Sequence, residues 1–371
     1  MTIICWGNLA KSADSTQRIE QAIEEYIGNH DSDPNAHMGE DYALGVHRLQ
    51  VVLDHSPYSI FNSHTYPQAR VYKALVDPSG NGDTTGIQEA INYVHSMNGG
   101  VVMIKNGTYY MTSDITMYGN VEIIGEDKTD TIIDFQDQLY GIMCKSKTDI
   151  KIQNLTIKNS TKNAIEITDN LRSSFIDINF QNNQRDIYIG LNNNQLSIKN
   201  IYSENSTDSS IEIDNYSAAD GFIQIENVLI SEPVVSGILL YAGYYNYLKN
   251  CIVKNAGSDG IYIEGSNLDG TTIVECQAQY CTGKGINIVT GDRLLIINCQ
   301  SRNNDGDGIY LGGFGESIVN NNIIMDNGGY GINLSANTSN NTVVGNNLHW
   351  NTSGNIIDSG TGNTVTANDD S

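Results

Sequence analysis

Three carboxylates, Glu212, Asp214 and Glu264, are the side chains of this sequence best placed by type and spacing for acid–base work. Paired carboxyl groups can divide that work, one giving a proton while the other takes one. Around them recur Tyr188, Tyr241, Tyr244, Tyr262, Asn287 and Tyr310. Tyrosine rings present an apolar face with a polar tip, and amides bond hydroxyls, so this set suits a ligand built of sugar rings. No tight His or Cys spacing of a metal site accompanies them.

These residues need a scaffold that brings them into line, and the sequence supplies a repeat. A small-Ile-x-Ile/Leu tetrad begins at Ala164, Asp186, Ser210, Gly237, Gly260, Gly285, Gly308 and Gly331, with starts 22, 24, 27, 23, 25, 23 and 23 residues apart. Nine residues before most tetrads stands a second apolar position: Leu155, Ile201, Val228, Cys251, Cys276, Cys299 or Asn322. The residue ahead of it is usually Asn, as at Asn154, Asn200, Asn227, Asn250, Asn298 and Asn321, with Glu275 the exception. Alternating β-branched residues between Gly, Asn and Asp turns, too short for a crossover helix, predict a parallel β-solenoid. Asn tolerates left-handed backbone at the bends, and its amide can bond the Asn one rung on. Cys251, Cys276 and Cys299 read as stacked interior thiols.

In each tetrad the flanking aliphatics point inward and the middle residue outward. The outward column is therefore Glu166, Tyr188, Glu212, Leu239, Tyr262, Asn287, Tyr310 and Asn333. A second outward column holds Thr168, Asp214, Tyr241, Glu264, Val289 and Gly312. Rungs about 4.8 Å apart make eight coils a strip roughly 35–40 Å long, which suits a polymer. Extra loop and aromatic residues at Tyr244 mark mid-strip as the candidate site. Glu212 and Glu264, two coils apart, are expected about 10 Å from one another. Asp214 and Glu264 could meet the roughly 6.5–9.5 Å of an inverting glycosidase. Neither column contains Arg, Lys or His, while Lys284, Arg293 and Arg302 read as solvated side chains of neighbouring turns. Ser258-Asp259-Gly260 and Gly306-Asp307-Gly308 read as turn chemistry.

Composition agrees. The 371 residues carry 43 Asp+Glu against 20 Lys+Arg, a formal charge of −23, which argues against a nucleic-acid or anionic-membrane partner. Of 45 Asn, 36 follow residue 150, within the repeat. No apolar run approaches the roughly 18–20 residues of a membrane span. The opening residues lack a basic start followed by an apolar stretch, so the expectation is a chain made in the cytosol without a signal peptide, with reduced cysteines.

Ahead of the repeat, Thr84-Thr85-Gly86-Ile87-Gln88-Glu89-Ala90-Ile91-Asn92-Tyr93-Val94 predicts an amphipathic capping helix with Ile87, Ala90, Ile91 and Val94 on one face. With Asp77-Pro78-Ser79-Gly80-Asn81-Gly82-Asp83, GGVVMIKNGTYY and VEIIGEDKTDTIID it resembles the opening of pectate-lyase-like, right-handed parallel β-helix proteins. That resemblance spans about residues 72–371. It implies an all-β, right-handed parallel β-helix over 71–371 and a polysaccharide partner, with tailspikes, hydrolases, lyases and epimerases all within the superfamily. The NTD, DD, GHG and RIK pattern of polygalacturonases and the DPHD motif of mannuronan epimerases are absent.

Residues 1–70 differ in composition and predict two short helices, a helical attachment or oligomerisation segment. Asp33-Pro34-Asn35-Ala36-His37-Met38-Gly39 and Asp54-His55-Ser56-Pro57-Tyr58-Ser59-Ile60 resemble N-terminal segments of viral structural proteins, which implies a virion-associated homotrimer. His37, His47, His55 and His64 read as ordinary cap and surface histidines. The combined expectation is a viral, carbohydrate-active β-helix protein that cleaves a polysaccharide, hydrolysis favoured over β-elimination. A stand-alone lyase or a non-catalytic binding protein are the alternatives. No cofactor is predicted, with Ca2+ the one ion the acidic strip could recruit.

Overall fold

The computed structural model describes residues 73–76, 84–215, 222–265 and 268–369. The segment expected over residues 1–70, and the four histidines in it, lie outside the described residues.

Inward-pointing aliphatics at a two-residue period commit the chain to strands, and turns about every third of a coil commit the strands to three faces. The result is a parallel β-helix of about 11 turns. The first face runs from Lys73–Val76 through Gly100–Ile104 and Val121–Gly125 to Thr364–Thr366. The second runs from Gly107–Tyr110 to Asn347–His349. The third carries the tetrads, from Ile115–Thr116 to Gly354–Asp358. Every pairing is parallel and joins one coil to the next.

The core is the column of inward tetrad residues, among them Ile165, Ile187, Ile211, Ile238, Ile261, Ile286, Ile309 and Ile332, all without solvent exposure. Each such burial is worth roughly 1.5–3 kcal/mol. Cys251, Cys276 and Cys299 are buried free thiols of the second face, as their register predicts. Burial raises the Cys276 thiol well above its ordinary range.

The corner between first and second faces is a single left-handed residue. Asn154, Asn200, Asn227, Asn250, Asn298 and Asn321 all have φ between 50° and 59°, and Glu275 joins them at 57°. Asn250 Nδ2 donates to Asn227 Oδ1 at 2.9 Å, Asn227 to Asn200 at 3.1 Å and Asn200 to Asp177 Oδ1 at 2.9 Å. A second, interior ladder joins Asn304, Asn327 and Asn351.

Helix α1, Thr84–Ser96, closes the N-terminal end as expected, with Ile87, Ile91 and Val94 fully buried. Its Gln88 accepts from the Thr116 amide (2.8 Å) and donates to the Thr116 carbonyl (3.1 Å). The helix thereby satisfies the first edge strand of the tetrad face, which an open solenoid would leave unpaired. No helix among the described residues is long and apolar enough to cross a membrane.

Candidate functional site on the tetrad face

The strand register lines up the middle tetrad residues as the repeat requires: Glu166 opposite Tyr188, then Glu212, Leu239, Tyr262, Asn287, Tyr310 and Asn333. The second column departs from expectation at one coil. Leu240-Tyr241-Ala242 holds one residue more than its neighbour, so the ladder bulges after Ile213 and Asp214 pairs with Ala242 rather than Tyr241. The bulge re-aims Tyr241 beside Tyr262, ring centroids 6.3 Å apart and edge to face.

A third outward column, the residue just before each small tetrad residue, was not anticipated. It contributes Asn163, Arg185, Asp259, Lys284 and Asp307, and these side chains reach across to the middle column. The expectation of a strip without cations therefore fails: although Arg185 and Lys284 belong to neither alternating column, both cations lie against it.

On the earlier coils this column builds a charge network. Lys145 Nζ lies 2.9 Å from Glu166 Oε1, and Asn163 Nδ2 donates to Glu166 Oε2 at 3.1 Å. Arg185 Nη1 donates to Asn163 Oδ1 at 3.1 Å, and Nη2 sits 2.7 Å from Asp208 Oδ2 and 2.9 Å from Glu212 Oε2. The same guanidinium lies 5.5 Å from the Tyr188 ring centroid. Burial raises the Glu212 carboxyl above the usual range; Arg185 opposes that shift, and Asp208 and Asp214 add to it. Tyr188 donates its hydroxyl to Asp214 Oδ2 at 3.4 Å, while Asp214 Oδ1 is buried without a hydrogen-bond partner among the described residues. Burial and these two carboxylates push the Tyr188 hydroxyl up to about 12.

Beyond Leu239, which is buried and apolar, the strip changes character. The Tyr262 hydroxyl donates to Glu264, and burial together with that bond raises its pKa. Asp259 accepts from the Lys284 amide at 2.6 Å and from Asn287 Nδ2 at 2.8 Å. Asp307 does the same for the Tyr330 amide (2.7 Å) and Asn333 Nδ2 (3.0 Å). Both aspartates thus tie one coil to the next, consistent with turn chemistry. Lys284 Nζ lies 4.5 Å over the Tyr310 ring.

The predicted residues consequently fall into two groups. Glu212, Asp214 and Tyr188 come together around Arg185. Glu264, Tyr262 and Tyr241 gather two rungs later, while Asn287 is buried against Asp259 and Tyr310 pairs with Lys284. Tyr244 stands at the next corner, its ring 6.3 Å from that of Tyr245. Arg185 is the functional residue sequence reading missed; its signal was its place directly ahead of the small tetrad position. Among the described residues no group of three or more His, Cys, Asp or Glu is placed to hold a metal ion.

Comparison with known proteins bears on this architecture. A family model described as the right handed beta helix region matches residues 211–370. No curated protein matches the sequence. Among solved structures, the A-module of the mannuronan C-5 epimerase AlgE6 from Azotobacter vinelandii is similar, at 15% identity and TM-score 0.59 over 78% of this chain and 92% of that one. So is the catalytic unit of a thermostable GH87 alpha-1,3-glucanase from Streptomyces thermodiastaticus, at 14% identity and TM-score 0.53 over 81% and 70%. The catalytic domain of a GH87 alpha-1,3-glucanase in complex with nigerose gives 16% identity and TM-score 0.56 over 81% and 69%. At such identities the likeness is one of fold: the described solenoid has the right-handed parallel β-helix architecture, and its residues 211–370 match the family model for that region.

Proposed function

We propose that this chain is a carbohydrate-active β-helix protein that binds a polysaccharide along the tetrad face and hydrolyses it at the coil of Glu212 and Asp214. One observation carries the reading. Two carboxylates two residues apart on one strand face have environments that separate their roles. Burial favours the protonated form of Glu212, which suits a general acid. Asp214 keeps one oxygen, Oδ1, without a partner among the described residues, which suits a base. They emerge from the same face of one strand, and the inverting reaction asks their carboxyl groups to stand roughly 6.5–9.5 Å apart across the sugar.

In this mechanism Glu212 gives its proton to the leaving glycosidic oxygen as the C1–O bond breaks. Water attacks C1 from the opposite face, and its proton passes to Asp214. Tyr188 holds the other oxygen of Asp214 in place, and Arg185 limits how far the Glu212 pKa rises. Tyr262, Tyr241 and Glu264 receive the sugar rings and hydroxyls of neighbouring units. Nigerose bound to a GH87 domain of the same fold supports a carbohydrate partner, and makes alpha-1,3-glucan a sensible member of a substrate panel.

Glu212→Gln and Asp214→Asn should each lower reducing-end release by about 10²–10⁴-fold while leaving polysaccharide retention intact. Full activity in both variants would sink the assignment. A binding-only strip is the second reading, favoured by the ion pairs that already occupy Glu166 and Glu212. It predicts retention by wild type with no new reducing ends. Unsaturated, ultraviolet-absorbing products would instead indicate β-elimination. The attachment role proposed for residues 1–70 makes the full chain a trimer, and light scattering that finds a monomer would overturn it.

A further inference from the structure

The corner between the tetrad face and the first face carries aromatic mass that the strip does not use. At this corner the chain adopts a left-handed residue in most coils, at Arg172, Gln195, Tyr245, Gly270, Arg293 and Glu316. Tyr245 has φ 55°, a conformation that costs a bulky residue about 1–2 kcal/mol, and yet its side chain is 58% exposed. Its amide donates to the Asp269 carbonyl at 3.0 Å, which fixes the backbone beneath the ring. The ring itself lies across the next rung's Gly270: a Cβ there would stand 2.6 Å from Tyr245 Cδ1 and 2.8 Å from Cε1. Only a glycine leaves that shelf. Tyr244 flanks the ring at 37°. Phe222, two residues before Gln224, which pairs with Tyr247, stands one rung earlier at the same corner and is 42% exposed.

The geometry points to an aromatic platform, centred on Tyr245 and extended by Phe222, that stacks against pyranose rings of a polysaccharide where it crosses the edge of the tetrad face. This rests on the reading of that face as a polysaccharide site and adds a subsite to it. The chemistry favours the apolar C–H face of an uncharged sugar ring, since a flat ring held on bare backbone offers dispersion and a π surface but no cation. Rungs about 4.8 Å apart let successive aromatics meet successive sugar units of an extended chain. A ring already immobilised on Gly270 loses little freedom on binding, so the contact is preorganised.

A merely structural role, covering Gly270 with apolar surface, would be served as well by leucine. The test is therefore affinity electrophoresis of full-length wild type, Tyr245→Leu and Tyr245→Phe through gels containing dextran, cereal β-glucan, xylan or galactomannan, all uncharged, beside thermal melts of each variant. The expected result is that one or more gels retard wild type and Tyr245→Phe alike, while Tyr245→Leu binds about tenfold more weakly with an unchanged melting temperature. Equal retardation of Tyr245→Leu and wild type overturns the platform and leaves the strip reading standing. Weaker binding that appears only with a lowered melting temperature, and equally in Tyr245→Phe, also overturns it. Retardation of wild type by none of the four polymers overturns both.

Discussion

The coils before the Leu239 rung and those after it share one repeat and one core, yet they dress the same outward face differently. In the earlier coils Lys145, Glu166, Asn163, Arg185, Asp208 and Glu212 form a continuous chain of ion pairs and hydrogen bonds, buried or half-buried beyond the exposed Lys145. In the later coils aspartates cap the next turn and tyrosines bond carboxylates or sit under a lysine. A parallel solenoid fixes its backbone through inward residues alone, so the outward columns are free to diverge coil by coil. Burial of outward polar side chains is common to both halves, since Asp259, Asn287 and Asp307 are buried in the later coils; what the earlier half adds is one cation shared between carboxylates.

The strongest test of this contrast removes the network's centre. Arg185→Met leaves Glu212 and Asp208 without their shared cation in a largely buried setting and should cost about 3 kcal/mol in denaturant unfolding. Lys284→Met in the later half loses only a cation over a half-buried ring and should cost about 1 kcal/mol. Without Arg185 the Glu212 pKa rises further, so the alkaline limb of the activity profile should move to higher pH. If both variants lose the same small amount, the two halves are energetically alike and the contrast is decorative.

The interior differs as well. The first tetrad position is glycine in the later coils, but in one earlier coil it is Asp186, fully buried. It accepts from Asn183 Nδ2 at 3.0 Å and Ser206 Oγ at 2.8 Å, with Ser203 also donating. Burial outweighs these bonds and pushes its pKa up to about 6. Raised in the fold above its unfolded value of about 3.9, this carboxyl contributes stability that is complete below that value and lost as pH rises through about 6. The shift of roughly two units corresponds to about 3 kcal/mol. Measured against Asp186→Asn, wild type should therefore gain stability as pH falls from 7 to 4, opposite to an ion-paired carboxylate. A pH-independent difference would mean that the serine cluster keeps the charge fully solvated.

The periodic half of this structure was legible in the sequence. Tetrad spacing gave the faces, the inward isoleucines and the middle column, and Asn ahead of the second apolar position gave the left-handed corner. What escaped was aperiodic. Arg185 acts from the turn before the small residue, where alternation has not begun, and Asp186 occupies a position that elsewhere takes glycine, alanine or serine. Tyr241 was assigned by counting outward positions, and a one-residue bulge defeats any such count. Grouping Glu212 with Asp214 rather than with Glu264 likewise needed the buried surroundings of the first pair, which no spacing encodes.

The finest difference between the halves lies in the exposed corner ladder, and it yields the smallest effect. Asp177, Asn200, Asn227 and Asn250 are joined side chain to side chain along the earlier coils. The next rung is Glu275, with the same left-handed φ of 57° but no ladder bond among the described residues. Asn adopts left-handed backbone more readily than Glu, and its amide can both accept from one rung and donate to another. Glu275→Asn should therefore extend the ladder from Asn250 and stabilise the protein by about 0.5–1 kcal/mol, while Asn227→Ala, which removes two bonds and the conformational preference together, should cost about 1–2 kcal/mol. Thermal unfolding of the two variants, run beside their double mutant, separates the terms. The double mutant is expected to depart from additivity, because Asn250 is the hydrogen-bond partner common to both sites. No gain from Glu275→Asn would show that the ladder's value is only the left-handed backbone it permits, in which case Glu275 already satisfies the corner and the bonds between rungs contribute nothing.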